Sequence, residues 1–219
     1  MKRLDFLTNI SVNAVSFIVN ATYDLKFQNE SRLWPYSQEG FVLLPKHQSN
    51  WDIPLEGVLL KKAIGRYGNY VMKDSLPKVL EYLGGMSVMR VRDIRKYSGY
   101  NDKQGRAEIL MIAKDKREEL ENRMVELLDK NEIVVSHIEG KRFYQQKTKI
   151  NPSNLQRFLD IQKKLQKQIT FIPLDIKYED IRAVGSKVLL KVGSPIKVKD
   201  DGLEELVGHM ANEIELLER

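Results

Sequence analysis

A histidine and an aspartate five residues apart, His47 and Asp52 in His47-Gln48-Ser49-Asn50-Trp51-Asp52, are the side chains of this sequence best suited to move a proton. A carboxylate bonded to one imidazole nitrogen fixes the ring's tautomer, makes the other nitrogen a base and stabilises the imidazolium that forms. A hydroxyl held against that nitrogen would become a nucleophile. On one regular helix, five positions would set the two side chains roughly 140° apart, so the pair needs His47 in a turn and Asp52 in the first turn of a helix. Such a spacing also arises by chance, and alone it names no reaction.

The flanking sequence provides that junction. Phe41 to Leu44 reads as a short buried strand and Trp51 to Ala63 as a helix, entered through Ser49 or Asn50, with Pro54 tolerated in its first turn. In all, strands are expected at Phe41 to Pro45, Tyr70 to Lys73, Met86 to Arg90, Ile133 to Ile138, Phe171 to Tyr178 and Lys187 to Val192. Helical patterns cover Pro77 to Leu83, Gly105 to Lys130, Pro152 to Gln168 and Leu203 to Leu217. The alternation predicts an α/β fold: a single domain over residues 1–219 with a mostly buried, mixed sheet flanked by helices, plus an N-terminal amphipathic helix. The polar stretch Arg92 to Arg106, with Ser98, Gly99 and Gly105, reads as a mobile loop long enough to cover a site.

Composition narrows the chemistry. With no cysteine, disulfides, thiolate zinc sites and a cysteine nucleophile are excluded, and a reducing compartment is suited. The histidines are His47, His137 and His209, too few and too irregularly spaced for a three-histidine metal site, so no metal is expected. A net charge of +6 and a pI near 9.3 favour anionic partners: nucleic acid, an anionic membrane surface or phosphorylated small molecules. Scattered aromatics and the lack of a recognised binding motif argue against nucleic acid.

Leu4 to Thr22 mixes apolar residues with Asn9, Asn13 and Asn20, so it is no spanning helix, and no small-residue cleavage site suggests a secretory signal. Residues 1–22 instead suit an interfacial helix with Lys2 and Arg3 near lipid phosphates, or a helix docked on the core.

Three blocks place charge at strand ends, where α/β sheets gather their binding loops. Lys73 follows Tyr70 to Met72, Arg90 ends Gly84-Gly85-Met86-Ser87-Val88-Met89-Arg90, and Glu139-Gly140-Lys141-Arg142 closes the strand that begins at Ile133. Arg90 and Arg142 can offer forked donors to a phosphate, Lys73 and Lys141 point charges, and Gly140 close backbone approach. Glu139 can pair with Arg142 or Arg90 to orient that fork. His137, on the same face as Glu139 if the strand continues, reads as a structural residue rather than a second base.

In this order the blocks resemble the glycerolipid acyltransferase family, especially the PlsC-type 1-acylglycerol-3-phosphate acyltransferases. His47 to Asp52 is similar to the family's His-x4-Asp block, Met72-Lys73-Asp74-Ser75-Leu76 to its Ala-Lys-x-Glu-Leu segment, and Gly84 to Arg90 to its second block. Glu139-Gly140-Lys141-Arg142 resembles Glu-Gly-Thr-Arg, and Phe171-Ile172-Pro173-Leu174 the proline-containing fourth block. The likeness covers residues 41–176. Ile138 stands where the family has proline and Lys141 where it has threonine, the latter adding a cation beside the expected phosphate site.

The resemblance implies transfer of an acyl group from acyl-CoA or acyl carrier protein to the hydroxyl of 1-acylglycerol-3-phosphate, without a further cofactor. His47 would be the base, Asp52 would orient it, and backbone donors after His47 would hold the oxyanion. Arg90, Glu139, Gly140, Lys141, Arg142 and Lys73 would form the phosphate site. It further implies work at the cytoplasmic face of a membrane, by peripheral attachment. Glycerol-3-phosphate or another lysophospholipid as acceptor, and a non-catalytic module binding anionic lipid, are the alternatives.

Overall fold

The computed structural model describes residues 4–73, 76–89, 103–139 and 150–218. Along them run α1 (Asp5–Thr22), β1 (Tyr23–Gln28), a 3₁₀ helix (Glu30–Tyr36), β2 (Phe41–Pro45), α2 (Asp52–Ile64) and β3 (Gly68–Lys73). A second 3₁₀ helix (Lys78–Leu83), β4 (Gly85–Val88), α3 (Lys103–Asp129) and β5 (Ile133–Val135) follow, then α4 (Pro152–Leu165), β6 (Thr170–Tyr178), β7 (Ser186–Val192) and α5 (Leu203–Glu218). The fold is α/β, as the alternation predicts. Seven strands form one mixed sheet in the order β1-β7-β6-β2-β5-β3-β4. From β6 to β4 the strands are parallel; β7 runs antiparallel to β6, and β1 runs with β7.

β2 sits in the middle of this sheet because neither of its faces carries a polar residue. Val42 and Leu44 pack into the core layer of Met124, Phe158, Phe171 and Met210, on the side of α3, α4 and α5. Phe41 and Leu43 pack into the opposite layer with Leu55, Leu59, Ile172 and Leu190, on the side of α1 and α2. A strand apolar on both sides is what a parallel sheet covered by helices requires. Its C-terminal end therefore emerges at the centre of the edge where the β5 and β3 exits also lie, the usual location of a site in such sheets. Gly65 ends α2 in the left-handed region (φ 69°), donating its N–H to the Lys61 carbonyl, a conformation that costs glycine little.

Several sequence expectations are corrected. Pro77 to Leu83 is a 3₁₀ helix over Lys78–Leu83 rather than an α-helix, six residues being too few for more than a couple of α-type bonds before Gly84 turns the chain at φ 95°. β4 stops at Val88 and β5 at Val135, earlier than the apolar runs suggest, so His137 and Glu139 lie beyond the strand. Lys103 to Arg106, expected in a loop, open α3, which is one continuous helix of 27 residues; positions 92–102 lie outside the described residues. β1 and the 3₁₀ helix Glu30–Tyr36 were not expected. As an edge strand, β1 alternates Asp24 and Lys26 with Leu25 and Phe27, which blurs its apolar signal.

Candidate active site

Past the end of β2 the sheet pairing persists by single bonds. The Lys46 N–H donates to the Leu174 carbonyl (2.9 Å) and the Ile138 N–H to the Pro45 carbonyl (3.3 Å), so His47 is delivered from a tethered backbone. The next four residues turn, and α2 begins at Asp52, the junction that the five-residue spacing demands. Ser49 shapes the turn without capping the helix: its Oγ accepts from the Trp51 N–H at 3.1 Å, and Trp51 is the N-cap residue.

Asp52 is completely buried and accepts four hydrogen bonds. Oδ2 receives the N–H groups of Gln48 (2.6 Å) and Ser49 (2.7 Å) and His47 Nδ1 (2.9 Å); Oδ1 receives the Tyr178 hydroxyl (2.6 Å). With the Gln48 and Ser49 N–H groups and the Tyr178 hydroxyl already donating to it, Asp52 is arranged as the acceptor toward His47, which favours the tautomer with the proton on Nδ1 and Nε2 open to take one. Burial, with the neighbouring Asp52 charge, pushes the Tyr178 phenol well above its ordinary value, which keeps it a donor. The His47 ring is 17% exposed, enough to meet a substrate from one side.

A sequence model of the acyltransferase family matches residues 24–177, from β1 almost to the end of β6. The chain belongs to the acyltransferase family. No curated protein matches it in sequence. The His47–Asp52 junction of this acyltransferase, in the N-terminal part of the matched region, thus sits in an acyl-transferring enzyme.

The other expected site residues are placed unevenly. Glu139 is brought directly to the site, where its Oε2 accepts the His47 backbone N–H at 3.0 Å; burial raises its carboxyl to about 7, and no hydrogen-bond partner meets Oε1 among the described residues. Lys73 ends β3. The register Leu43↔Val135↔Tyr70 sets it level with Lys46 but two strands away, roughly 10 Å across the sheet. Arg90, Gly140, Lys141 and Arg142 lie outside the described residues, and with them most of the expected phosphate site. The first two N–H groups after His47 do not aim at a substrate oxyanion, because Asp52 takes both.

Residues that sequence reasoning did not single out lie around the His47–Asp52 pair. Tyr178 reaches Asp52 from 126 positions away, with no local signal to announce it. Glu56 is fully buried and paired with His137; a charge within the apolar run Leu55 to Leu60, one helical turn after Asp52, was the available sign. Lys46, 8% exposed, pairs with Glu218 of α5 at 2.7 Å, and nearby Asp175 is buried with neither carboxylate oxygen hydrogen-bonded among the described residues.

Beside Asp52 an apolar cavity of about 170 Å³ opens between helices and sheet. Ile53, Pro54 and Gly57 of α2 form one wall; Val12 and Val15 of α1, Met72 of β3 and Leu80 of the 3₁₀ helix close the others. Outside it, α1 presents Phe6 (75% exposed), Ile10 (51%) and Phe17 (76%), which fall on one stripe of the helix. Among the described residues no helix is long and apolar enough to cross a membrane.

Proposed function

We propose that this acyltransferase moves a fatty acyl group from a thioester, acyl-CoA or acyl carrier protein, to the hydroxyl of 1-acylglycerol-3-phosphate. The observation that carries the reading is the four-donor anchoring of Asp52 against His47 Nδ1 at the exit of the central strand. His47 Nε2 takes the hydroxyl proton as the oxygen attacks the thioester carbonyl; the C–S bond then breaks, and the proton passes from His47 to the leaving thiolate. No acyl-enzyme is formed on this route, which suits a chain without cysteine. On this reading the acceptor phosphate is bound by Lys73, Arg90, Lys141 and Arg142, the cations that the family resemblance implies. Gly140 lets the backbone approach them, and Glu139 steadies the His47 turn.

An aliphatic chain matches the apolar cavity that starts one residue after Asp52, and the exposed stripe Phe6, Ile10 and Phe17 suits insertion among lipid tails. We therefore place the enzyme peripherally on an anionic membrane, at its cytoplasmic face, where lysophospholipid acceptors reside.

The test is thiol release from palmitoyl-CoA by purified protein, offered lysophosphatidate, glycerol-3-phosphate and lysophosphatidylcholine in turn, with the lipid products resolved. Acceptor-dependent release yielding phosphatidate is the expected result. Release with another acceptor would move the specificity, and vesicle binding with no thioester turnover from either donor would favour a non-catalytic lipid-binding module.

A further inference from the structure

One helical turn beyond Asp52, on the same face of α2, Glu56 Oε1 lies 3.0 Å from His137 Nε2. The His137 ring in turn stacks on the His47 ring, with centroids 4.0 Å apart and planes inclined by 28°. Helix α2 thus sets two carboxylates against two imidazoles, and the second pair has no part in the proton path described above.

The second pair is expensive. Glu56 is fully buried among Leu55, Val58, Leu59 and Leu60, and no hydrogen-bond partner meets its Oε2 among the described residues. A buried carboxylate with a single partner is less favourable than a well-packed apolar side chain, so stability alone gives no reason for glutamate here. Burial holds the Glu56 carboxyl above its ordinary value. It pulls His137 down, but the Glu56 carboxylate, with Asp52 and Glu139 also facing the ring, carries the imidazole above its own.

Its neighbour supplies the reason. The bond from Nδ1 to Asp52 fixes one atom of His47 but lets the ring swing about that bond, which carries Nε2 away from a hydroxyl. A flat partner against the ring face removes this motion. We propose that His137, held by Glu56, is a positioning residue that fixes the plane of the His47 imidazole for acyl transfer. The inference rests on the reading of His47 as the base, and neither His137 nor Glu56 touches the reacting atoms.

If the plane is what matters, any flat ring suffices and a methyl group does not. Two double variants separate the cases without stranding a buried charge: His137→Phe with Glu56→Leu, and His137→Ala with Glu56→Leu. The alanine pair should lose about 10- to 100-fold in kcat with both KM values unchanged, as expected for a misaligned base. The phenylalanine pair should stay within a few-fold of the parent and melt no lower. Because the chain has three histidines, imidazole NMR gives a second readout: the downfield Nδ1–H signal of His47 should persist in the parent and the phenylalanine pair and broaden in the alanine pair. Parent-like kcat in the alanine pair, or a phenylalanine pair as slow as the alanine pair, would overturn the proposal. A parent protein that transfers no acyl group would sink the functional reading instead, and the NMR comparison would still decide the positioning role.

Discussion

Replacing Asp52 with asparagine isolates its charge from its architecture. The amide oxygen in the Oδ2 position can still accept from Gln48, Ser49 and His47, and the amide nitrogen would face the Tyr178 hydroxyl, which can turn to accept. What is lost is the negative charge beside the imidazolium that forms during turnover. Opposite unit charges about 4 Å apart at an effective dielectric near 20 interact by about 4 kcal/mol. With the proton partly transferred at the transition state, about 2–4 kcal/mol of that is at stake, or roughly 30- to 1,000-fold in kcat. Alanine would test something else, because it strands the Gln48 and Ser49 N–H groups and the Tyr178 hydroxyl, each at about 1–3 kcal/mol. The assay is acceptor-dependent thiol release under saturating substrates, with the variant's fold checked by circular dichroism. A folded Asp52→Asn enzyme with parent-like kcat would refute the role of the carboxylate.

Tyr178→Phe removes one of the four donors on Asp52 and should cost about 1–2 kcal/mol by urea denaturation, with a smaller loss of kcat than Asp52→Asn. Asp175 carries the opposite lesson: burial raises its carboxyl from 3.8 to about 6, so the unfolded chain ionises first and stability falls as pH rises between those values. That two-unit difference is roughly 3 kcal/mol, and Asp175→Asn should match the parent near pH 3.5 and exceed it above pH 6.5 in denaturation midpoints. Replacing Phe6 and Phe17 together with serine should weaken sedimentation with anionic vesicles while leaving the melting temperature within a few degrees, since both side chains are exposed.

What was legible in the sequence followed from local pattern. The run Phe41 to Pro45, apolar at every position, announced a strand buried on both faces, and the five-residue spacing of His47 and Asp52 announced a strand-to-helix junction; both are as expected. What was not legible depends on tertiary approach. Tyr178 meets Asp52 only because β6 lies beside β2, and the stack of His137 on His47 requires β5 to end at Val135 and the chain to turn there. The oxyanion donors could not be named from sequence for a related reason: spacing shows that N–H groups follow His47, whereas only the geometry shows that Asp52 takes the first two.

The most direct test of the account is acceptor-dependent thiol release from palmitoyl-CoA by the parent and by His47→Ala, both shown to be folded. The account predicts phosphatidate from the parent and no transfer above background from the variant. Undiminished phosphatidate formation by a folded His47→Ala protein would contradict it.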